Sequence, residues 1–115
     1  MKKREYRDYL LDSFNSINEI ASFIVNMTYE DFMKDRKTCN AVIRSIEIIG
    51  EATKQIPKSI KDKNPSIPWK RMVGMRDKMI HEYFGIDYAI FWKTAKETLP
   101  KLKDKIAIFI KEEGI

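Results

Sequence analysis

The sequence predicts an all-α fold, an antiparallel bundle of four to five helices, and three observations carry that expectation. Apolar residues recur at three- and four-residue spacing through each long stretch. No stretch alternates apolar with polar residues or carries a hairpin signal. Only one segment is rich in prolines, so the chain has a single clear break. At 115 residues the chain is too short for two cores of ordinary size, and residues 1–115 are expected to form one domain.

The first long helix is expected from Tyr6 to Ile24, where Tyr6, Leu10, Phe14, Ile17, Ala21 and Ile24 form one stripe. In "NMTYEDFMKD", Thr28 with Asp31 three residues on has the pattern of a capping box, which places a short turn or the start of the next helix there. A second long helix follows from about Arg36 to Ile56. Its face is Cys39, Val42, Ile43, Ile46, Ile49, Gly50 and Thr53, and Pro57 ends it. "PKSIKDKNPSIP" has the composition of a loop with room for one short turn. A third helix is expected over Trp69 to Phe84 with Gly85 as its C-terminal cap, and Asp87 suits the N-cap of a last helix reaching about Glu112. That helix buries Tyr88, Phe91, Trp92, Ala95, Leu99, Leu102, Ile106, Phe109 and Ile110, and Pro100 should kink or split it.

The chain holds 22 Lys and Arg against 17 Asp and Glu, a formal charge of +5 that favours an acidic partner such as RNA, DNA or an acidic protein. The acids are interspersed, so a solvated charged surface is the plainer account of the excess. One cysteine, Cys39, excludes an internal disulfide, and one histidine leaves no zinc-type ligand cluster. Glu47 and Glu51 stand one turn apart, but Arg44 and Lys54 beside them make paired or solvated carboxylates the plainer reading than a metal site. Without a Gly-rich phosphate loop no nucleotide cofactor is expected. The N-terminal "MKKREYRDYLL" lacks the apolar core of a secretory signal, and no run approaches the ~18 apolar residues of a membrane span, so a soluble, cytoplasmic protein is expected.

The stretch "GMRDKMIHEYFGID" raises the functional question. At roughly 100° per residue, Arg76 falls in the middle of the stripe formed by Met72, Val73, Met79, Ile80 and Tyr83. A guanidinium there keeps its charge and needs a partner. Three partners fit the spacing: an acid of the second helix such as Glu47, a second subunit, or a bound anion. His81 lies roughly 140° round the helix from Arg76, and Asp77, four residues before it, shares its face and could orient its ring. A lone histidine beside Glu82 is more often a solvated helix residue. An arginine and a histidine are nevertheless what RNA cleavage without a metal requires, a base for the 2′-hydroxyl and a cation for the phosphate. With one histidine per chain, a second acid would come from another residue type or from a symmetric dimer.

"RDKMIHEY" resembles the Arg-x-x-x-x-His-x-Tyr motif of HepT-like proteins, a branch of the HEPN superfamily, with Arg76, His81 and Tyr83 at the motif positions. "AVIRSIEIIGEATKQIP", "IPWKRMVGMRDKMIHEYFGIDYAIFW" and "TLPKLKD" are similar to the family pattern, and "RDYLLDSFNSINEI" resembles its first helix. The resemblance implies a dimerising helical bundle and the toxin half of a prokaryotic type VII toxin–antitoxin pair. It also implies a metal-independent endoribonuclease acting on tRNA or mRNA through Arg76 and His81, with Asp77 accessory. The partner it implies is an MntA-like minimal nucleotidyltransferase, in a hetero-oligomer, transferring AMP to the tyrosine that is Tyr83 here. The competing reading is a protein that binds nucleotide or RNA, or serves as substrate of a nucleotidyltransferase, and cuts nothing.

Overall fold

The computed structural model describes residues 3–82 and 88–115, with the side chains of Arg76 and of residues 78–82 left outside the description. Helix α1 (Tyr6–Phe23) begins where the Asp8 carboxylate accepts the Glu5 N–H at 2.9 Å, and it ends where the Ile24 N–H bonds back to Ile20. Its buried arc is Leu10, Ser13, Ser16, Ile17 and Ile20, continued by Ile24. Ala21, expected on the stripe, is exposed. Because α1 packs against two helices, its contact arc widens toward the two serines, which an apolar count passes over.

Asn26 takes the left-handed conformation (φ 61°) at the turn into α2 (Tyr29–Lys34), one of the few residue types that does so readily. The capping box is present. Thr28 Oγ1 accepts the Asp31 N–H at 3.1 Å, and the Asp31 carboxylate accepts the Thr28 N–H at 3.0 Å. At the start of α3 (Arg36–Lys54) the Asp35 carboxylate accepts from the Thr38 N–H at 3.0 Å and its hydroxyl at 2.7 Å. These bonds to the charged form hold both carboxyls below the ordinary aspartate value. All seven residues of the expected α3 face are buried, and the helix lies between α1 and α5 (Trp69–Glu82).

Between α3 and α5 the proline-rich link folds one turn, α4 (Lys58–Lys61). The Trp69 indole N–H is shared by the carbonyls of Lys61 and Asn64, each at 3.0 Å, so the link is tied to the first residue of α5. The expected extension of α5 to Phe84, the Gly85 cap and the Asp87 N-cap lie outside the described residues.

The expected last helix is split as Pro100 requires. It consists of α6 (Tyr88–Lys93), a π-helical turn over Thr94–Thr98, and α7 (Leu99–Glu112) with the proline in its first turn. Pro100 has no N–H to give to the residue-96 carbonyl, and its ring crowds that position, so a wider turn relieves both problems. Helix α7 lies on α1, α6 lies on α2, and the rings of Trp69 and Phe109 meet edge to face at 5.9 Å. A polar contact joins α1 and α3 inside the core, where Thr53 Oγ1 donates to the Ile49 carbonyl at 2.6 Å and stands 3.2 Å from the Ser13 hydroxyl. Cys39 is buried, and its thiol donates to the Phe32 carbonyl. Burial pushes that thiol above its ordinary value and leaves it a packing group. No helix among the described residues is long and apolar enough to cross a membrane.

Candidate nucleic-acid interface

Helix α5 carries the motif, and its first two turns fix how it is set in the bundle. Trp69, Met72 and Met75 are buried against the core, whereas Lys70, Arg71 and Asp77 are exposed. Arg76 follows fully buried Met72 by four residues and therefore occupies the next turn of the same helix face. His81 follows Asp77 by four residues and continues the outer face.

That outer face forms one wall of an open groove of about 1050 Å³. The α5 wall is Trp69, Lys70, Arg71, Val73, Gly74 and Asp77; the opposite wall is Lys58, Lys61 and Asp62 of the link, with Pro65, Ile67 and Pro68 between them. Four cations against two acids give the groove a positive lining over an apolar floor. Lys58 is bonded to Asp62 at 2.8 Å, and that carboxylate raises the pKa of its ammonium above the ordinary lysine value. Lys61 has no ion pair among the described residues, and partial burial pulls its pKa down from the ordinary 10.5. An anion entering the groove would offset that penalty by pairing with the ammonium.

Gly74 stands within the groove wall at mid-helix. A β-carbon built there meets nothing within 4 Å, so packing among the described residues does not call for glycine. A glycine inside a helix costs roughly 0.5–1 kcal/mol relative to alanine, and in a groove wall it leaves the backbone open to close approach by a ligand. Gly74→Ala is therefore expected to stabilise the fold by roughly 0.5–1 kcal/mol in urea unfolding while weakening RNA binding. Stabilisation with unchanged binding would show that nothing sits against this wall.

Of the residues singled out from the sequence, Arg76 and His81 lie within α5 with side chains outside the described set; Tyr83 lies outside it entirely. Asp77 is exposed and lines the groove. Glu47, one partner considered for Arg76, bonds Arg44 at 3.3 Å on the surface. No group of three or more His, Cys, Asp or Glu residues could hold a metal ion among the described residues. Sequence reasoning missed Lys58, Lys61, Lys70, Arg71 and Gly74. The first four looked like an ordinary charged surface, but the glycine inside an otherwise sound helical pattern was a usable signal.

The family described as "Ribonuclease HepT-like" matches residues 14–108. A Thermococcus cleftensis protein named "Probable ribonuclease HepT" is 52% identical over 103 residues, covering 90% of this chain and 94% of its own length. A Methanocaldococcus jannaschii protein provisionally named as an RNase is 45% identical over 112 residues, covering 97% of this chain and 93% of its own. A third, from Caldanaerobacter subterraneus and named in the same provisional way, is 39% identical over 107 residues, covering 93% and 96%. No solved structure matches the chain at a significant level.

Proposed function

This chain belongs to the HepT-like ribonuclease family, and from that premise we propose that it is a metal-independent endoribonuclease, the toxin of a toxin–antitoxin pair, acting in the cytoplasm. The observation that supports the reading is the cation-lined groove along the face of α5 that continues from Asp77 to the position of His81. A groove of that charge receives a phosphate backbone and leads it to the motif.

The chemistry then needs two groups. The His81 imidazole takes the proton of a ribose 2′-hydroxyl, O2′ attacks the adjacent phosphorus, and the bond to O5′ breaks as that oxygen gains a proton. The Arg76 guanidinium meets the negative charge that builds on the phosphoryl oxygens, and the products are a 2′,3′-cyclic phosphate and a 5′-hydroxyl. Asp77, one turn before His81, orients the imidazole. A symmetric dimer supplies the acid for O5′ from the second subunit. The reading is tested by incubating the protein with labelled tRNA in EDTA. Cyclic phosphate ends are expected, and tight binding with no cut would favour a purely RNA-holding protein.

Neutralisation follows from Tyr83, two residues beyond the histidine. AMP placed there by a nucleotidyltransferase antitoxin adds bulk and a negative charge beside the catalytic pair and repels the RNA phosphate. Tyr83→Phe is expected to abolish AMP uptake from the cognate partner in a radiolabel transfer assay. Transfer to the phenylalanine variant at undiminished stoichiometry would place the acceptor elsewhere.

A further inference from the structure

A second basic groove adjoins the first. It has a volume of about 330 Å³ and runs between the start of α5 and the α6–α7 segment, where Arg71, Lys93, Lys101 and Lys105 face it and Glu97 is the one acid. Pro68 and Arg71 line both grooves, so the two are continuous around the N-terminal end of α5. Lys93, Lys101 and Lys105 recur at multiples of four residues across the π turn, and a four-residue helical step advances about 6 Å.

The cations in this groove differ in how far the fold itself uses them. Lys105 Nζ donates to the Ser66 carbonyl at 3.0 Å and so holds the proline-rich link against α7. Nearby Lys96 lies over the Trp92 ring at 5.3 Å. Arg71, Lys93 and Lys101 make no ion pair with any described residue and keep their charge for solvent or a ligand. Glu97 sits among these three cations and lowers the net positive charge without cancelling it.

We propose that this second groove is a phosphate track that holds the single-stranded RNA flanking the scissile bond, with Arg71 passing the strand from one groove to the other and Lys93 and Lys101 each neutralising one phosphate. The proposal rests on the nuclease reading for the meaning of the first groove. RNA is favoured over an acidic protein because the track joins the groove that leads to the motif, and because its cations follow one another in file, as backbone phosphates do.

The test is binding of a 20-nucleotide unstructured RNA to the full-length His81→Ala protein across a salt series, comparing a Lys93→Gln/Lys101→Gln pair with a Lys34→Gln/Lys37→Gln pair that removes the same charge elsewhere. For the track pair, affinity is expected to fall roughly tenfold at 0.1 M salt, and the slope of log K against log salt should become shallower by about 1.4. The Lys34 and Lys37 pair, which lines neither groove, should change neither. Equal losses in both pairs, or no change in either, would overturn the track, as would polyglutamate displacing the RNA as effectively as an unlabelled RNA does. Cleavage by the wild-type chain, followed in parallel, keeps the two readings apart. An uncut RNA held through Lys93 and Lys101 removes the nuclease and keeps the track, whereas normal cutting with unaltered binding removes the track and keeps the nuclease.

Discussion

His81→Ala is expected to lower the rate of RNA cleavage by roughly 10²–10⁴-fold, because positioned proton transfer is worth about that much and the chain has no second imidazole to substitute. Arg76→Met should lower it by roughly 10²–10³-fold through the phosphoryl oxygens, which would build charge with no cation to meet it. Both replacements should leave the fold in place. Position 76 lies one turn past Met72 inside α5, and methionine is a good helix former at an interior position, so that variant should fold. Position 81 lies near the C-terminal end of α5, where alanine, the best helix former, should keep the helix intact. Circular dichroism and native mass on both variants separate lost chemistry from lost structure. If wild type and His81→Ala are equally inactive while equally folded, the chain is a binder or a modification substrate, not a nuclease.

The second large effect concerns how the segment after the motif is held to the bundle. Phe32 of α2 is fully buried, packs against the hydrophobic core, and lies 5.3 Å from the Trp92 ring of α6. Its own carbonyl receives the Cys39 thiol, so the residue joins α2 and α3 through the backbone as well as the ring. Phe32→Ala removes a large side chain from a site enclosed by three helices that cannot collapse around the gap, which costs roughly 3–5 kcal/mol. For a chain of this size that corresponds to a fall in melting temperature of roughly 12–20 °C. A fall of only a few degrees in a thermal scan would mean that α2 and α6 are not anchored through this ring.

Much of this fold was legible because each helix announces itself locally. All seven residues read for the α3 face are buried, since that helix is apolar along one arc, while Ser45 and Ala52 on the edges of the arc were not read. Thr28 and Asp31 gave the start of α2 because a capping box needs only four residues to be recognised. The π turn was legible only as a disruption at Pro100; the sequence reports that a proline breaks the ladder but not how the backbone accommodates it. Ser13 and Ser16 escaped because their burial depends on where α3 and α7 lie, and a hydroxyl satisfied by a partner 40 residues away leaves no local trace. The Arg76, His81 and Tyr83 spacing supplied the candidate chemistry, which falls outside the described side chains, while the shape of the groove left no mark in the sequence. The groove is made by folding the Lys58–Pro68 link back on α5, and its lysines are spread through a sequence in which charged residues are common everywhere.

The π turn at Thr94–Thr98 also sets where the chain tolerates changes of length. It adds one residue to what would otherwise be a continuous helix and so rotates α6 about the common axis relative to α7, letting one half face α2 and the other α1. Removing a single residue here would turn Phe91 and Trp92 by about 100° away from Phe32, a change no side-chain repacking could absorb. The Pro57–Pro68 link is under no such phase constraint, because a loop passes no rotation on to the helices it joins. Length variation among relatives should therefore spare the five residues before α7.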